Sequence, residues 1–355
     1  MPQPPRLGVG LVGAGPVTQA IHLPTLARLP DLFEVARVFD VDPKVAQSVA
    51  TRAGAQSAAS FEELLDDPTV DVVAICSPHN FHAEQTIAAC RAGKKAVLCE
   101  KPFATSVAEA SQIAEVAEQT STPVLVGAMH RFDPGWLAAS ASWGDFSETV
   151  HSIRSSIVLP PNPRMEDFAT EVVNRPPSGH AGPVELDVEM AAAFIHGGVL
   201  GLAIHNLPLV RTLLPTIEDV KVLSARALRP WGYHIFFTAG GVRVELHAVV
   251  SATWRPQWCF EAYSESRSLE VEFTPSYVHA GSAVAHLRTA TSTQTFGPFT
   301  HNGYEGEWRT LAAVVHGELP APDVHGQVAD LRLSVDVAEQ GSELVRSTRA
   351  AGVLA

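Results

Sequence analysis

A glycine turn set between a short apolar run and a helical stretch constrains this chain more than any other feature of its sequence. Residues 7–12 (LGVGLV) lead into Gly13-Ala14-Gly15, and VTQAIHLP follows from residue 17. The pattern G-x-G-x-x-G fits two overlapping registers. Gly8, Gly10 and Gly13 match it literally, whereas Gly13, Gly15 and Thr18 match except at the third position. The first register leaves only MPQPPRL as its strand, and three prolines forbid one there. The second has a strand before it and a helix after it, the context the pattern requires. Gly13 then allows the tight turn, and Gly15 lets backbone approach a pyrophosphate. The helix N-terminus, opening at Pro16 and Val17, offers free N–H groups and positive dipole to the anion. Thr18 replaces a glycine that permits close helix–strand packing, so looser packing is expected there.

The alternation continues beyond the turn. Helical patterns occupy 17–29, 43–53, 60–65, 81–92 and 106–119, with strand-length apolar runs at 33–39, 70–76, 96–99 and 123–128. This pitch predicts βαβ crossovers and a parallel sheet. Asp42 before Pro43 reads as a helix cap, Ser60–Glu63 and Ser106–Glu109 as capping boxes, and Gly93 as a helix end. Asp40 ends the second strand, 22 positions after Thr18. A carboxylate about 20 residues on from such a turn hydrogen-bonds a ribose 2′-hydroxyl and repels a 2′-phosphate. The expected cofactor is therefore NAD rather than NADP, with nearby Lys44 the opposing signal.

Composition closes off other classes. Hydrophobic residues at 46% and charged residues at 18% describe a globular chain, and 355 residues fit two domains. A net charge of −13 without basic runs argues against nucleic acid and membrane surfaces as partners. Cys76, Cys90, Cys99 and Cys259 lack paired spacing, and the N-terminus lacks an apolar leader. A reducing cytoplasm is expected, with no run approaching the roughly 18 residues of a membrane span. His79 and His82 are a close pair without further ligands, so no metal site is expected.

Five segments carry a resemblance in consistent order. They are Cys99-Glu100-Lys101-Pro102-Phe103, Ser77-Pro78-His79-Asn80-Phe81-His82, Met129-His130-Arg131-Phe132, Gly197-Gly198-Val199-Leu200 leading to His205, and the late stretch YEGEWRTLAAVVHGELPAP. In these the chain closely resembles the glucose–fructose oxidoreductase / inositol dehydrogenase / rhizopine catabolism (Gfo/Idh/MocA) family. The resemblance implies that Lys101 lies beside nicotinamide and substrate hydroxyl, its cation stabilising a developing alkoxide. It implies that His205 is the general base, a task suited to an imidazole. It also implies cofactor contacts from Ser77, Pro78, His79, Asn80, His82 and Glu100, and substrate contacts from His130 and Arg131 as well as Lys101 and His205.

The sequence departs from the family at two aspartates, replaced by Gly201 four residues before His205 and by Pro208 three residues after it. Pro208 is expected to kink the His205 helix. Asn206 keeps a polar side chain nearby, and Glu185, Asp187 and Glu189 are substitute carboxylate candidates.

From about residue 132 the pattern changes. Runs at 220–228, 233–238, 242–250, 258–263 and 268–273 alternate polar and apolar residues, the period of half-buried antiparallel strands. The expected fold is an α/β Rossmann domain over 1–131 and an α+β domain over 132–355 with a large open, mostly antiparallel sheet. The last helices are expected to have the option of packing back on the first domain. Residues 159–190, rich in proline and polar side chains, read as a loop lining the substrate pocket. Trp136, Trp231, Trp254 and Trp258 offer flat faces for a sugar, or else serve core and subunit contacts. Relatives of this kind imply a homodimer or homotetramer through the sheet.

The reaction expected is NAD-dependent oxidation of a secondary hydroxyl, or reduction of the ketone, on a sugar, polyol or sugar derivative. Two alternatives stand beside it. One is an NAD-retaining enzyme that cleaves glycosides or eliminates by internal redox cycling. The other is a non-catalytic sensor of dinucleotide and ligand.

Overall fold

A computed structural model describes residues 5–175 and 186–350. It comprises two compact units. The first holds Met1–Met129, Met165–Pro177 and Tyr304–Ala329; the second holds His130–Arg164, Ser178–Gly303 and Asp330–Ala355. After leaving the first unit the chain thus returns to it twice.

In the first unit, strands β1 (Leu7–Val12), β2 (Phe33–Phe39), β3 (Gln56–Ser57), β4 (Val72–Ile75), β5 (Ala96–Glu100) and β6 (Val124–Gly127) build a six-stranded parallel sheet. Its order is β3-β2-β1-β4-β5-β6. Every β1 residue is buried, as befits a strand covered on both faces. The intervening helices are α1 (Leu23–Ala27), α2 (Pro43–Ala53), α3 (Phe61–Asp66), α4 (His82–Arg91) and α5 (Val107–Thr120). Asp42, Ser60 and Ser106 accept the N–H groups of Lys44, Glu63 and Glu109, so all three expected caps form. The helix expected over 17–29 is divided into a wide π-helical turn, Thr18–His22, and the short α1. Thr18 does not loosen the packing. It is fully buried, and its hydroxyl donates to the Gly13 carbonyl at 2.5 Å.

The second unit opens with α6 (Pro134–Ser142), α7 (Phe146–Thr149) and β7 (Ser152–Leu159). Helix α8 (Asn162–Ala169) then occupies part of the stretch expected to be irregular. Next come α9 (Val188–Gly201), α10 (Leu207–Arg211) and strands β8 (Lys221–Ala227), β9 (Gly232–Ala239), β10 (Val242–Val250), β11 (Gln257–Tyr263), β12 (Arg267–Glu272), β13 (Val284–Thr289) and β14 (Thr293–Phe296). Helices α11 (Gly303–Val315) and α12 (Val324–Ala350) complete the described chain. The eight-stranded sheet has the order β14-β13-β12-β11-β7-β10-β9-β8, with β7 and β10 parallel and every other pair antiparallel. Along β10, Val242, Val244, Leu246 and Ala248 are buried while Arg243, Glu245 and His247 face outward.

One expectation is corrected by α9. Val188–His205 spans 18 residues at a mean hydropathy of 1.4, long and apolar enough to cross a membrane. Its Ala191, Ala192, Ile195 and Val199 are buried and the helix packs on β8 and β9, so one face of it lies in the core of this unit while Glu189, Ala193, His196 and Gly197 are exposed.

Candidate active site

The glycine turn falls at Gly13–Gly15, while Gly8 and Gly10 lie inside β1. Gly13 has φ +87°, and a Cβ there would stand 2.6 Å from Ser77 N and 2.7 Å from the Cys76 carbonyl carbon. Only glycine allows the turn after β1 to meet the loop after β4 so closely. Among the described residues a Cβ on Gly15 would meet nothing within 4 Å. Asp40 at the end of β2 accepts the Ala14 N–H at 2.7 Å and the Asp42 N–H at 2.9 Å. An open glycine backed by a helix start, with a fixed carboxylate beside it, fits the pyrophosphate and ribose of a dinucleotide.

After β4, Pro78, His79, Asn80 and Phe81 are exposed, the last three in one 3-10 turn. His82 instead is buried, with Nδ1 2.8 Å from the Pro102 carbonyl and Nε2 2.7 Å from that of Ser77. It ties the loop after β4 to the loop after β5. Ser77 donates its hydroxyl to Gln85 at 2.6 Å. Among the described residues no group of histidines, cysteines and acids is placed to hold a metal.

Glu100 ends β5, Lys101 follows it, and the Lys101–Pro102 peptide is cis. Burial pulls the Lys101 pKa down, opposed by the Glu100 charge. Glu100 Oε1 lies 3.1 Å from His22 Nε2, and Trp308 donates its indole N–H to His22 Nδ1 at 3.2 Å. Burial disfavours charge on His22, yet Cys76 and Glu100 outweigh it and raise its pKa well above the usual value. An imidazolium, however, would turn an Nδ1–H against the indole N–H. The hydrogen-bond geometry therefore sets His22 as the neutral Nε2–H tautomer, donating to Glu100. Burial pushes the Glu100 carboxyl up, but His22, Lys101 and His82 together hold it below the usual carboxylate range. Neither His22 nor Trp308 was singled out by the sequence.

In the second unit, His205 closes a 3-10 turn, Ala203–His205. Helix α9 has already ended at Gly201, and Pro208 sits in the first turn of α10. The expected kinked helix is thus a break between two helices, because proline starts a helix more readily than it continues one. The His205 ring meets Trp258 edge to face, with centroids 5.3 Å apart. His130 packs 6.0 Å from His205, stacked on Phe273 at 3.8 Å. Asn206 donates its Nδ2 to Ser155 Oγ, so its Oδ1 accepts Nδ1–H of His130 at 2.6 Å. Burial takes the His130 pKa down to about 3, against the pull of Asn206. Only 3% exposed, His130 supports the floor beneath His205.

Arg131 donates to Asp330 at 2.5 Å, and Arg211 pairs with the same carboxylate, so the guanidinium expected at substrate is held in a structural clamp. Asp187 caps α9 by accepting the Met190 N–H, and exposed Glu189 pairs with Arg346. Asp187 and Glu189 are thereby engaged elsewhere, and Glu185 lies outside the described residues. Trp136 and Trp258 are core residues, Trp231 is partly buried, and Trp254 is exposed.

Part of the stretch expected to line the pocket is tied to the first unit. Gln19 exchanges two hydrogen bonds with the Val173 backbone, and Arg52 donates to the Glu171 carbonyl. Residues 176–185 of that stretch lie outside the described residues.

Residues 7–128 match the Gfo/Idh/MocA oxidoreductase family, described by its NAD-binding Rossmann fold. Those residues are the Rossmann unit of this chain. The match covers the NAD(P)-binding Rossmann unit, and a mostly antiparallel second sheet follows it in the chain. Inositol 2-dehydrogenase 3 of Saccharopolyspora erythraea is 27% identical over 328 residues, 88% of this chain and 87% of that protein. Inositol 2-dehydrogenase of Acidothermus cellulolyticus is 39% identical over 223 residues, 61% of this chain and 57% of that one. Among solved structures, the UDP-N-acetylglucosamine 3-dehydrogenase of Acidithiobacillus ferrooxidans superposes with a TM-score of 0.73 at 18% identity, over 96% of this chain and 100% of that one. A 3-ketoreductase from Actinomadura kijaniata, solved with NADP and TDP-benzene, gives 0.70 at 20% identity, over 94% and 96%. At such identities the two structures speak for the fold.

Proposed function

We propose that this protein is a Gfo/Idh/MocA oxidoreductase that uses NAD to oxidise a secondary hydroxyl of a sugar, polyol or sugar derivative, or to reduce the matching ketone. The observation that carries the reading is Lys101, a half-buried lysine directly after β5 in the unit that bears the dinucleotide turn. Bound NAD supplies the hydride acceptor. The Lys101 ammonium holds the substrate hydroxyl and stabilises the negative charge that grows on its oxygen. His205 takes the hydroxyl proton. Its Trp258 and His130 neighbours fix the ring from the sides. The inositol dehydrogenases among the relatives support a polyol or sugar as substrate. Asp40 supports NAD over NADP.

Buried Cys90 and Cys99 support a reducing, cytoplasmic setting. The outward face of the second sheet, with Arg154, Glu245, His247 and Glu261, supports a homodimer or homotetramer.

The test is a screen of inositols, hexoses and sugar nucleotides for NADH formation by absorbance. Turnover of a hydroxyl compound supports the reading, and inertness across the screen with both cofactors sinks it. Because Asp187 and Glu189 are engaged elsewhere, the NAD-retaining alternative keeps its place. Mass spectrometry of nicotinamide released by denaturation separates the two. Near-stoichiometric NAD from protein purified without cofactor would favour internal redox cycling.

A further inference from the structure

In the first unit buried Glu307 and His22 lie within electrostatic reach of the partly buried Glu100, and among the described residues hydrogen-bond donors reach only one of the two acids. Glu100 receives Nε2–H of His22 on Oε1 and the Lys101 backbone N–H on Oε2, the latter at 3.2 Å. Trp308 occupies His22 Nδ1, so the ring has no second proton to give. Gly127 on β6 makes room for this carboxylate, since a Cβ there would stand 3.3 Å from its carboxyl carbon. Glu307, next to Trp308 on α11, is 1% exposed. Neither of its carboxyl oxygens has a hydrogen-bond partner among the described residues. A buried carboxylate without a donor is an uncompensated charge, and such a group takes up a proton instead.

We propose that Glu307 is a protonated carboxylic acid in the resting enzyme and a positioning residue for Lys101, holding the cluster behind the lysine to the single negative charge of Glu100. The proposal rests on the reading of Lys101 as the group that polarises the substrate oxygen. The charged neighbourhood is consistent with it. Burial first, and then the Glu100 charge, drive the Glu307 acid well above its usual range. On its own helix, Glu305 is neutralised by Arg28 and Arg309. From the other elements, Lys101 and His82 act on Glu100, and Cys76 acts on His22. Ionisation of Glu307 would release its proton to solvent and set a second negative charge behind Lys101. The lysine would then exert a weaker pull on a developing alkoxide.

The experiment is infrared difference spectroscopy in D2O on the full chain and on Glu307→Gln at about pH 8, where ordinary carboxyls are ionised. The expected result is a protonated-carboxyl C=O band in the parent that the variant lacks. On further titration that band fades in step with the alkaline limb of kcat. In Glu307→Gln the limb moves up by about one pH unit or more. A merely structural role would leave the limb in place. Absence of the band, or an unmoved limb, overturns the proposal. If the variant does not fold, the parent decides alone, since a parent without the band at that pH overturns it equally. Failure of the underlying reading looks different. A protein that shows the band while Lys101→Ala turns over normally keeps its buried acid and loses the role assigned to the lysine.

Discussion

The backbone N–H of Ala14 donates to Oδ2 of Asp40 at 2.7 Å, joining the glycine turn to the end of β2. With the Asp42 N–H on Oδ1, the carboxylate is held at the position where an adenosine ribose rests in such a turn. A 2′-phosphate would meet a like charge there. Asp40→Ser is expected to weaken NAD and strengthen NADP, each by about tenfold, or about 1.4 kcal/mol. Calorimetric titration with both dinucleotides checks this. An unchanged ratio would remove Asp40 from cofactor choice.

Among the described residues a Cβ at Gly201 meets nothing within 4 Å, which leaves room there for an aspartate. A carboxylate near His205 favours its imidazolium and so raises its basicity. In Gly201→Asp the acid limb of kcat/KM is expected to move up by about one pH unit. An acid at the last residue of α9 opposes the helix dipole and costs about 0.5 kcal/mol. A profile identical to the parent's would remove His205 from the proton step.

Asp67 supplies a pH dependence in the first unit. It accepts from Thr69 N–H and Oγ1–H, and from Arg37 at 2.5 Å. Thr69, followed by Arg37, lowers its pKa to about 2. Since the folded value lies below the unfolded one, the stabilisation is present above the unfolded pKa and is lost as pH falls through about 2. Asp67→Asn should unfold at lower temperature than the parent at neutral pH, and the gap should close between about pH 4 and about pH 2. A gap that persists in acid would mean that packing, not charge, carries the contribution.

Where local chemistry decides, the fold was legible. Asp42-Pro43 starts α2 and the glycine turn starts its helix as expected, because caps and positive φ act over a few residues. Strands β2 and β10 coincide with their predicted runs. Strand β7 was missed because Ser155, a hydrogen-bond partner of Asn206, occupies a buried position and breaks the apolar alternation. Strand β14 is an exposed edge with no apolar face to read. Lys101 was singled out from its motif. Trp308 and His22, 286 positions apart, meet only through the fold, and so do Arg131 and Asp330. The Pro208 kink was misjudged because a proline does not reveal whether it bends one helix or opens another.

Lys101→Ala carries the central claim. Removing the cation should lower kcat on the substrate found by the screen by about a thousandfold, the scale of losing an electrostatic stabiliser of the developing oxyanion. NAD affinity, measured by calorimetry on the same variant, should change by less than about threefold, or about 0.7 kcal/mol. That pairing, turnover lost and cofactor retained, is what the account predicts. Full turnover in Lys101→Ala, or a collapse of NAD binding that accounts for the whole loss, would contradict it.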